Sequence, residues 1–368
     1  MSTATVGKGR WGRFRAMTPA AVARLIGIFV LVLLLYLAVL SSDPNAASAR
    51  NHAQLADRIG YFGVLTLGVG ILIIAGGIDL SIGSVVGLTA IAFAVLVKEQ
   101  DVPPVPAMAL VLALSAGIGL FHGLLVTRLR LQPFIVTLCG FFIWRGLALW
   151  LALPSPLAPL KGLLELISFG LYESDTPLLQ GSARDKGLGS AADTPGLEEL
   201  QKLIATGDVF GVPSVFVLLL LLAAVLGVFL HFTVYGRYLY AIGYNEQAAR
   251  YAGIAVNRYK VLAYVICSTM AGLGGVLLML RVPSASASSA GSLYELYAIT
   301  GAVLGGCSLR GGQGTVVGIL LGTAVLPLLR NFVNLAGVQG DLDYITIGIA
   351  LLAGVVTDEL LKRRAARK

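Results

Sequence analysis

The chain has 368 residues, 57% hydrophobic and only 12% charged, with a formal net charge of +8. A soluble chain of this length carries about twice that charged fraction, which excludes an ordinary water-soluble domain. The basic excess would suit nucleic acid, but it lies at the edges of apolar runs, so no nucleic-acid partner is expected and the charge belongs to a membrane surface.

In chain order, residues 1–23 form a basic N-terminal segment before a long apolar run. No small-residue cleavage site fits between Ser41 and Ala49, so the run predicts a retained anchor rather than a cleaved signal. Apolar stretches then recur at 24–41, 59–76, 79–97, 105–126, 133–153, 213–232, 259–280, 294–306, 314–330 and 343–357. Most match the length needed to cross a bilayer; the eighth is short. The expectation is an all-α, polytopic membrane protein of about ten transmembrane helices with broken or re-entrant segments. The membrane domain occupies 24–357 and a basic tail 358–368. Lys and Arg mark the cytoplasmic side. With the N-terminus inside, the basic clusters around Arg13, Arg128, Arg250, Arg310 and Lys362 all fall inside, and an even number of spans keeps both termini cytoplasmic. Cys139, Cys267 and Cys307 lie in or beside apolar runs, with no disulfide or metal spacing.

The stretch Ile73–Leu88, IIAGGIDLSIGSVVGL, interrupts this pattern. One helix over 59–97 would be about 58 Å long, against a bilayer core of roughly 30 Å. The chain must therefore turn or break near Gly76-Gly77, and freed backbone is tolerated only against protein or water. Asp79 then lies near a helix start, where the dipole and free N–H groups favour a carboxylate. Capping at a membrane edge and lining the transport path, with Ser81, both fit it. GGIDLSIGSVVGL at 76–88 is echoed by GGCSLRGGQGTVVGIL at 305–320. Paired interrupted segments point to a transport site at a repeat interface.

Residues 154–212 form an insert on the outer side, opened by Pro154, Pro156 and Pro159. Within it, Thr194 as cap, Pro195 at the first position and Gly207 as stop predict a short helix. Leu197, Leu200, Leu203 and Ile204 share its face, suited to packing on the membrane domain or to docking an outside partner. The segment 233–258 is the longest cytoplasmic connection. Its middle predicts a helix over 245–251, with Asn245 as cap, Glu246 in the first turn, Arg250 in the last and Gly253 as stop. Such a helix suits a partner or the lipid interface equally.

Few polar residues lie inside the spans. Arg145 demands a partner or water, and Glu295 is a candidate; Asn331 ends the ninth span. His122 and His231 fit helix packing better than ligation. There is no G-x-x-x-x-G-K-[ST], H-E-x-x-H or G-x-S-x-G, and no catalytic or metal site is expected. From the residues alone, a transport subunit driven by a separate ATPase and a self-contained ion-coupled carrier or channel rank nearly level; a membrane enzyme ranks below both.

Three motifs in order decide between them: AGGIDLSIGSVVGL, GRYLYAIGYNEQAARYAGI and YELYAITGAVLGGCSLRGGQGTVVGILLG. Together they resemble the permease subunits of bacterial sugar ABC importers of the ribose, xylose and galactose type, a superfamily shared more distantly with branched-chain amino acid permeases. The resemblance runs from about residue 50 to 357. It implies an inner-membrane permease for a monosaccharide or polyol, without chemistry or cofactor of its own; ATP and Mg²⁺ stay on a cytoplasmic ATP-binding cassette subunit. It further implies a periplasmic or secreted sugar-binding protein and a second permease subunit, identical or paired. The contact with the ATPase would be the 233–258 segment, through Gly236, Gly243, Asn245, Glu246, Ala249 and Gly253. The chain departs from the family in the 154–212 insert and at Tyr297, where the family usually has aspartate or a small polar residue.

Overall fold

The computed structural model describes residues 19–153, 194–282 and 284–335, with a few positions between 345 and 356. Most of the tenth expected span, most of the 154–212 insert and both tails lie outside the described residues.

The long helices are α1 (Pro19–Ser42), α2 (Ala49–Ile74), α3 (Ile82–Lys98), α4 (Pro104–Arg128) and α5 (Pro133–Leu151). A short α6 (Leu197–Ile204) precedes the β1–β2 hairpin (Asp208–Val209, Val212–Pro213) and α7 (Ser214–Phe232). Then come α8 (Val234–Tyr244), α9 (Glu246–Tyr251), α10 (Val256–Arg281), α11 (Tyr294–Leu304) and α12 (Val316–Leu335). Among the described residues, seven helices are long and apolar enough to cross a membrane. The 17-residue α3 and 11-residue α11 are the broken elements. At 1.5 Å per residue α11 covers about 16 Å, roughly half a bilayer core. The eighth span is therefore too short to cross the core as a single helix.

The centre is α2, α3 and α10, with α4 and α5 against one side and α7, α11 and α12 against the other. Of α2's apolar window 78% is buried, against 6% for α1, so α1 is a peripheral anchor. It rests on α12 through Val39, Ala324 and Leu328. Close packing depends on small residues: a Cβ at Gly119 of α4 would lie 2.5 Å from the Tyr264 carbonyl of α10. At one end of the core Arg281 pairs with Asp57 and lies 4.9 Å over the Tyr61 ring.

The insert's helix forms, with two corrections. Gly196, at φ 77°, is the cap residue in place of Thr194. Thr194 has another partner, since its hydroxyl accepts from Lys98 Nζ at 2.8 Å. Leu197 and Leu200 are buried, but Leu203 is 71% exposed, so the apolar face packs only in part. The hairpin turns through Phe210 and Gly211, both at positive φ, and Phe210 is fully exposed at its tip.

Candidate functional site

The two breaks are built alike. α2 closes with Gly76 at φ 76°, the Gly76 N–H donating to the Ile73 carbonyl and Gly77 to Leu72, both at 2.9 Å. α11 closes with Gly306 at φ 88°, Gly306 donating to Val303 at 2.9 Å and Cys307 to Ala302 at 3.0 Å. Both are Schellman closures, in which the left-handed residue is a glycine because a Cβ is disfavoured there. The internal repeat is thus structural, with a shift. Gly76 is equivalent to Gly306, one residue off the register in which the sequence aligns the two Gly-Gly steps.

The breaks also touch. The Gly312 N–H donates to the Ile74 carbonyl at 2.9 Å, satisfying an end carbonyl of α2. The last turn of α8 lies on both: a Cβ at Gly243 would sit 1.9 Å from the Ile74 oxygen and 2.4 Å from the Gly312 nitrogen. Tyr240 donates to the Gly314 carbonyl at 2.7 Å, and Arg24 of α1 to Gln313 Oε1 at 2.8 Å. So α8 holds the 305–315 segment and the end of α2 through main-chain contact.

Asp79 follows the first break and is 1% exposed. It stands two residues before Ser81, the cap residue of α3, rather than capping the helix itself. Its Oδ1 accepts from the Ser81 N–H at 2.8 Å and the Ser81 hydroxyl at 2.6 Å, an Asx turn that fixes the approach to α3. Its Oδ2 has no hydrogen-bond partner among the described residues and faces His122 Nδ1 of α4 at 3.7 Å. His122 is fully buried, and its Nε2 accepts from the Trp144 indole N–H of α5 at 3.1 Å. Because Nε2 accepts, the ring proton sits on Nδ1, toward Asp79. Asp79, His122 and Trp144 thus connect three elements. The sequence marks Asp79 but not its link to His122, since two residues 43 apart carry no shared spacing.

Arg145 finds its partners in main chain. Its Nη1 donates to the carbonyls of Ala287 and Ala290 at 3.0 and 2.6 Å. Glu295 attracts it through space. The expected Arg145–Glu295 partnership is thus secondary to two carbonyls, and Arg145 ties the segment before α11 to α5. Gly83 and Gly87 make room: a Cβ at Gly83 would lie 2.2 Å from Glu295 Oε2, and one at Gly87 2.7 Å from the Ala290 carbonyl. Asp79, Ser81, Arg145 and Glu295 therefore gather around the first turns of α3. Asn331 stands apart, donating to Asn51 Oδ1 at 2.9 Å and joining α12 to the start of α2.

The 245–251 helix is α9, capped by Asn245, whose Oδ1 accepts from the Ala248 N–H at 2.9 Å. Gly253 at φ 80° ends it, and Ala249 packs with Ile242 and Val256. Glu246 pairs with Arg250 at 2.7 Å and with Lys260 of α10. Burial pushes the Glu246 pKa up, but hydrogen bonds from Lys260 and Arg250 outweigh it and hold it below the ordinary value. Tyr244 and Tyr251, at 80% and 92% exposure, flank the helix. The sequence reading leaves 234–244 as connection; it is the helix α8, capped by Thr233, with Gly236 against the Leu230 carbonyl. Its moderate apolarity and its tyrosines hid it beside the long spans.

Residues 51–355 match the family model described as branched-chain amino acid transport system / permease component. The ribose import permease protein RbsC of Escherichia coli (strain K12) is 32% identical over 330 residues, covering 89% of this chain and 92% of that protein. RbsC of Bacillus subtilis (strain 168) is 32% identical over 333 residues, 90% of this chain and 91% of the other. The xylose transport system permease protein XylH of Escherichia coli (strain K12) is 32% identical over 350 residues, 88% of each. No solved structure matches.

Proposed function

This chain belongs to the sugar ABC importer permeases within that family, and on that premise we propose how it works: it alternates access for a monosaccharide or related polyol, moved by a separate ATP-binding cassette subunit. The contact of Gly243 with Ile74 and Gly312 carries this reading. A push on α8–α9 reaches both breaks, at the end of α2 and in the segment after α11, through backbone, without passing through a flexible side chain. α9, with Asn245 and Ala249 fixing it and Tyr244 and Tyr251 exposed, is the surface offered to the ATPase. ATP and Mg²⁺ belong to that partner.

The α8–α9 end and both termini are then cytoplasmic. The opposite end, with the insert, Phe210 and Lys98, faces a periplasmic or secreted sugar-binding protein. Exposed apolar residues on α1, α4, α5 and α7, among them Phe29, Phe121, Phe142 and Leu221, face lipid or a second permease subunit, identical or paired. The family membership separates this reading from an ion-coupled carrier, which the residues alone left level with it.

The test is reconstitution in liposomes with the ATPase and the binding protein. ATP-dependent uptake of D-ribose or D-xylose is expected, with none of L-leucine. Uptake driven by an ion gradient, with no ATPase present, would return the carrier reading.

Glu246→Lys tests the contact. It replaces the centre of a three-charge cluster with a third cation, so α9 loses its tie to α10. Sugar-stimulated ATP hydrolysis and uptake should fall by about tenfold, the equivalent of roughly 1.4 kcal/mol, with insertion retained. In wild type the Glu246 contribution is present above the ordinary carboxylate pKa and is lost only as pH falls through the lowered folded value. Mild acidification should therefore spare coupling. Intact coupling and co-purification in Glu246→Lys would exclude α9 as the contact.

A further inference from the structure

A second polar feature lies away from Asp79. Between α2, α11 and α12 is a cavity of about 110 Å³ whose wall includes Arg58, Phe62, Thr66, Tyr297, Thr323 and Arg330. The Phe62 and Tyr297 rings lie 5.2 Å apart, tilted by 52°. The Arg330 guanidinium sits 4.7 Å over the Tyr297 ring and donates to its hydroxyl. Arg58 is exposed, and Thr66 and Thr323 are buried.

Each wall group has a definable hydrogen-bonding role. The Thr66 and Thr323 hydroxyls donate to the Phe62 and Ile319 carbonyls, both at 2.8 Å, so toward the cavity their oxygens accept. Pro327 lies inside α12 and also lines the cavity. It has no N–H, so the Thr323 carbonyl four residues earlier loses its helical donor and is a further acceptor. The two arginines donate, and the two rings supply apolar faces. Donors, acceptors and ring faces within one small cavity suit a molecule whose surface alternates hydroxyls with C–H patches. A zwitterionic amino acid fits poorly, because the described lining contains no carboxylate for its ammonium group.

We propose that this cavity is a station on the substrate path that holds a neutral polyol, with Phe62 and Tyr297 on its C–H face and Arg58, Arg330 and the Thr323 carbonyl on its hydroxyls. This rests on the permease reading above. At about 110 Å³ the cavity is below the roughly 300 Å³ of the smallest usual ligand sites, so holding a sugar requires it to widen. Widening it requires α11 to move from α12. α11 is the short broken element that ends at Gly306, on the segment held by α8, so the station opens and closes with the coupling movement. Tyr297, where the sequence departs from the resembled family, becomes a specificity-determining side chain.

The experiment uses the full transporter in liposomes. Thr323→Cys, in a Cys139→Ser background that removes the exposed native thiol, reports on the cavity by its rate of reaction with a small methanethiosulfonate. D-Ribose and D-xylose are the neutral probes, D-glucuronate the anionic one and L-leucine the control. The imported neutral sugar should slow labelling several-fold, and L-leucine should not. Tyr297→Ala should raise the KM of that sugar about tenfold with the maximal rate largely kept, the scale of one lost aromatic contact. Tyr297→Phe, which keeps the ring, should recover most of it. If wild type imports the sugar, yet labelling is unprotected and the Tyr297→Ala KM is unchanged, the station is overturned while the permease reading stands. Protection by D-glucuronate alone overturns the neutral class. Import of none of these sugars by wild type overturns the permease reading, and the station with it.

Discussion

Gly243→Ala should reduce transport by at least about tenfold, although alanine is the better helix former by roughly 1 kcal/mol. The added methyl has nowhere to go. It would lie 1.9 Å from the Ile74 carbonyl oxygen and 2.4 Å from the Gly312 nitrogen, between the donor and acceptor of a 2.9 Å hydrogen bond. Both neighbours are main chain, so neither can rotate aside. Gly76, Gly311 and Gly312 on the facing segments hold positive φ, which leaves little freedom to re-route the chain there. Overpacking costs about 1–3 kcal/mol and the lost hydrogen bond about 0.5–1.5 kcal/mol, together more than the helix gain. The local penalty falls where α8 meets both breaks, so coupling should suffer before insertion does. Gly146→Ala is the matched control, since nothing lies within 4 Å of its Cβ position, and it should transport like wild type. The measurement is sugar uptake per inserted protein, with a thermal midpoint for each variant. Wild-type uptake in Gly243→Ala would show that the α8 contact transmits nothing.

The contrast between Gly243 and Gly146 also marks how far sequence reading reaches. Spans follow from apolar length, and α9 from Asn245 and Gly253, because those signals are local. The break at Gly76 was legible as a conflict between helix length and bilayer thickness. What the break touches was not. The sequence presents Gly243 as one of several glycines in a connecting segment, and its contact with Ile74 arises from a fold that returns residues 169 and 69 positions apart to one point. The sequence asks a partner or water of Arg145 and offers Glu295 as one candidate, whereas two carbonyls of an irregular segment serve it. The cavity beside Tyr297 depends on Pro327 lying one turn from Thr323 and opposite Phe62, and only the first of these relations is local.

Asp79 is where local and long-range information meet, and its substitutions should separate the two. Asp79→Leu leaves the Ser81 N–H and hydroxyl without their acceptor and His122 Nδ1 facing carbon. Each buried polar group left unpaired costs about 1–3 kcal/mol, so this variant should insert poorly and transport little. Asp79→Asn keeps one oxygen for the Ser81 N–H, preserving the turn. Its amide nitrogen then faces His122 Nδ1, which already carries the ring proton. Moving that proton to Nε2 sets it against the Trp144 N–H at 3.1 Å instead. Either arrangement opposes two donors, so Asp79→Asn should lose about tenfold while remaining inserted, the equivalent of roughly 1.4 kcal/mol. Trp144→Phe removes the second conflict: His122 can then carry its proton on Nε2 and accept at Nδ1 from the new amide. Trp144→Phe alone should be mild, and Asp79→Asn with Trp144→Phe should transport better than Asp79→Asn. Such a rescue is the non-additivity expected of residues sharing one network. A purely local turn at Asp79 predicts additive losses. Uptake and thermal midpoints across the four proteins of that cycle decide between them, and additivity within error would sever Asp79 from His122 and Trp144.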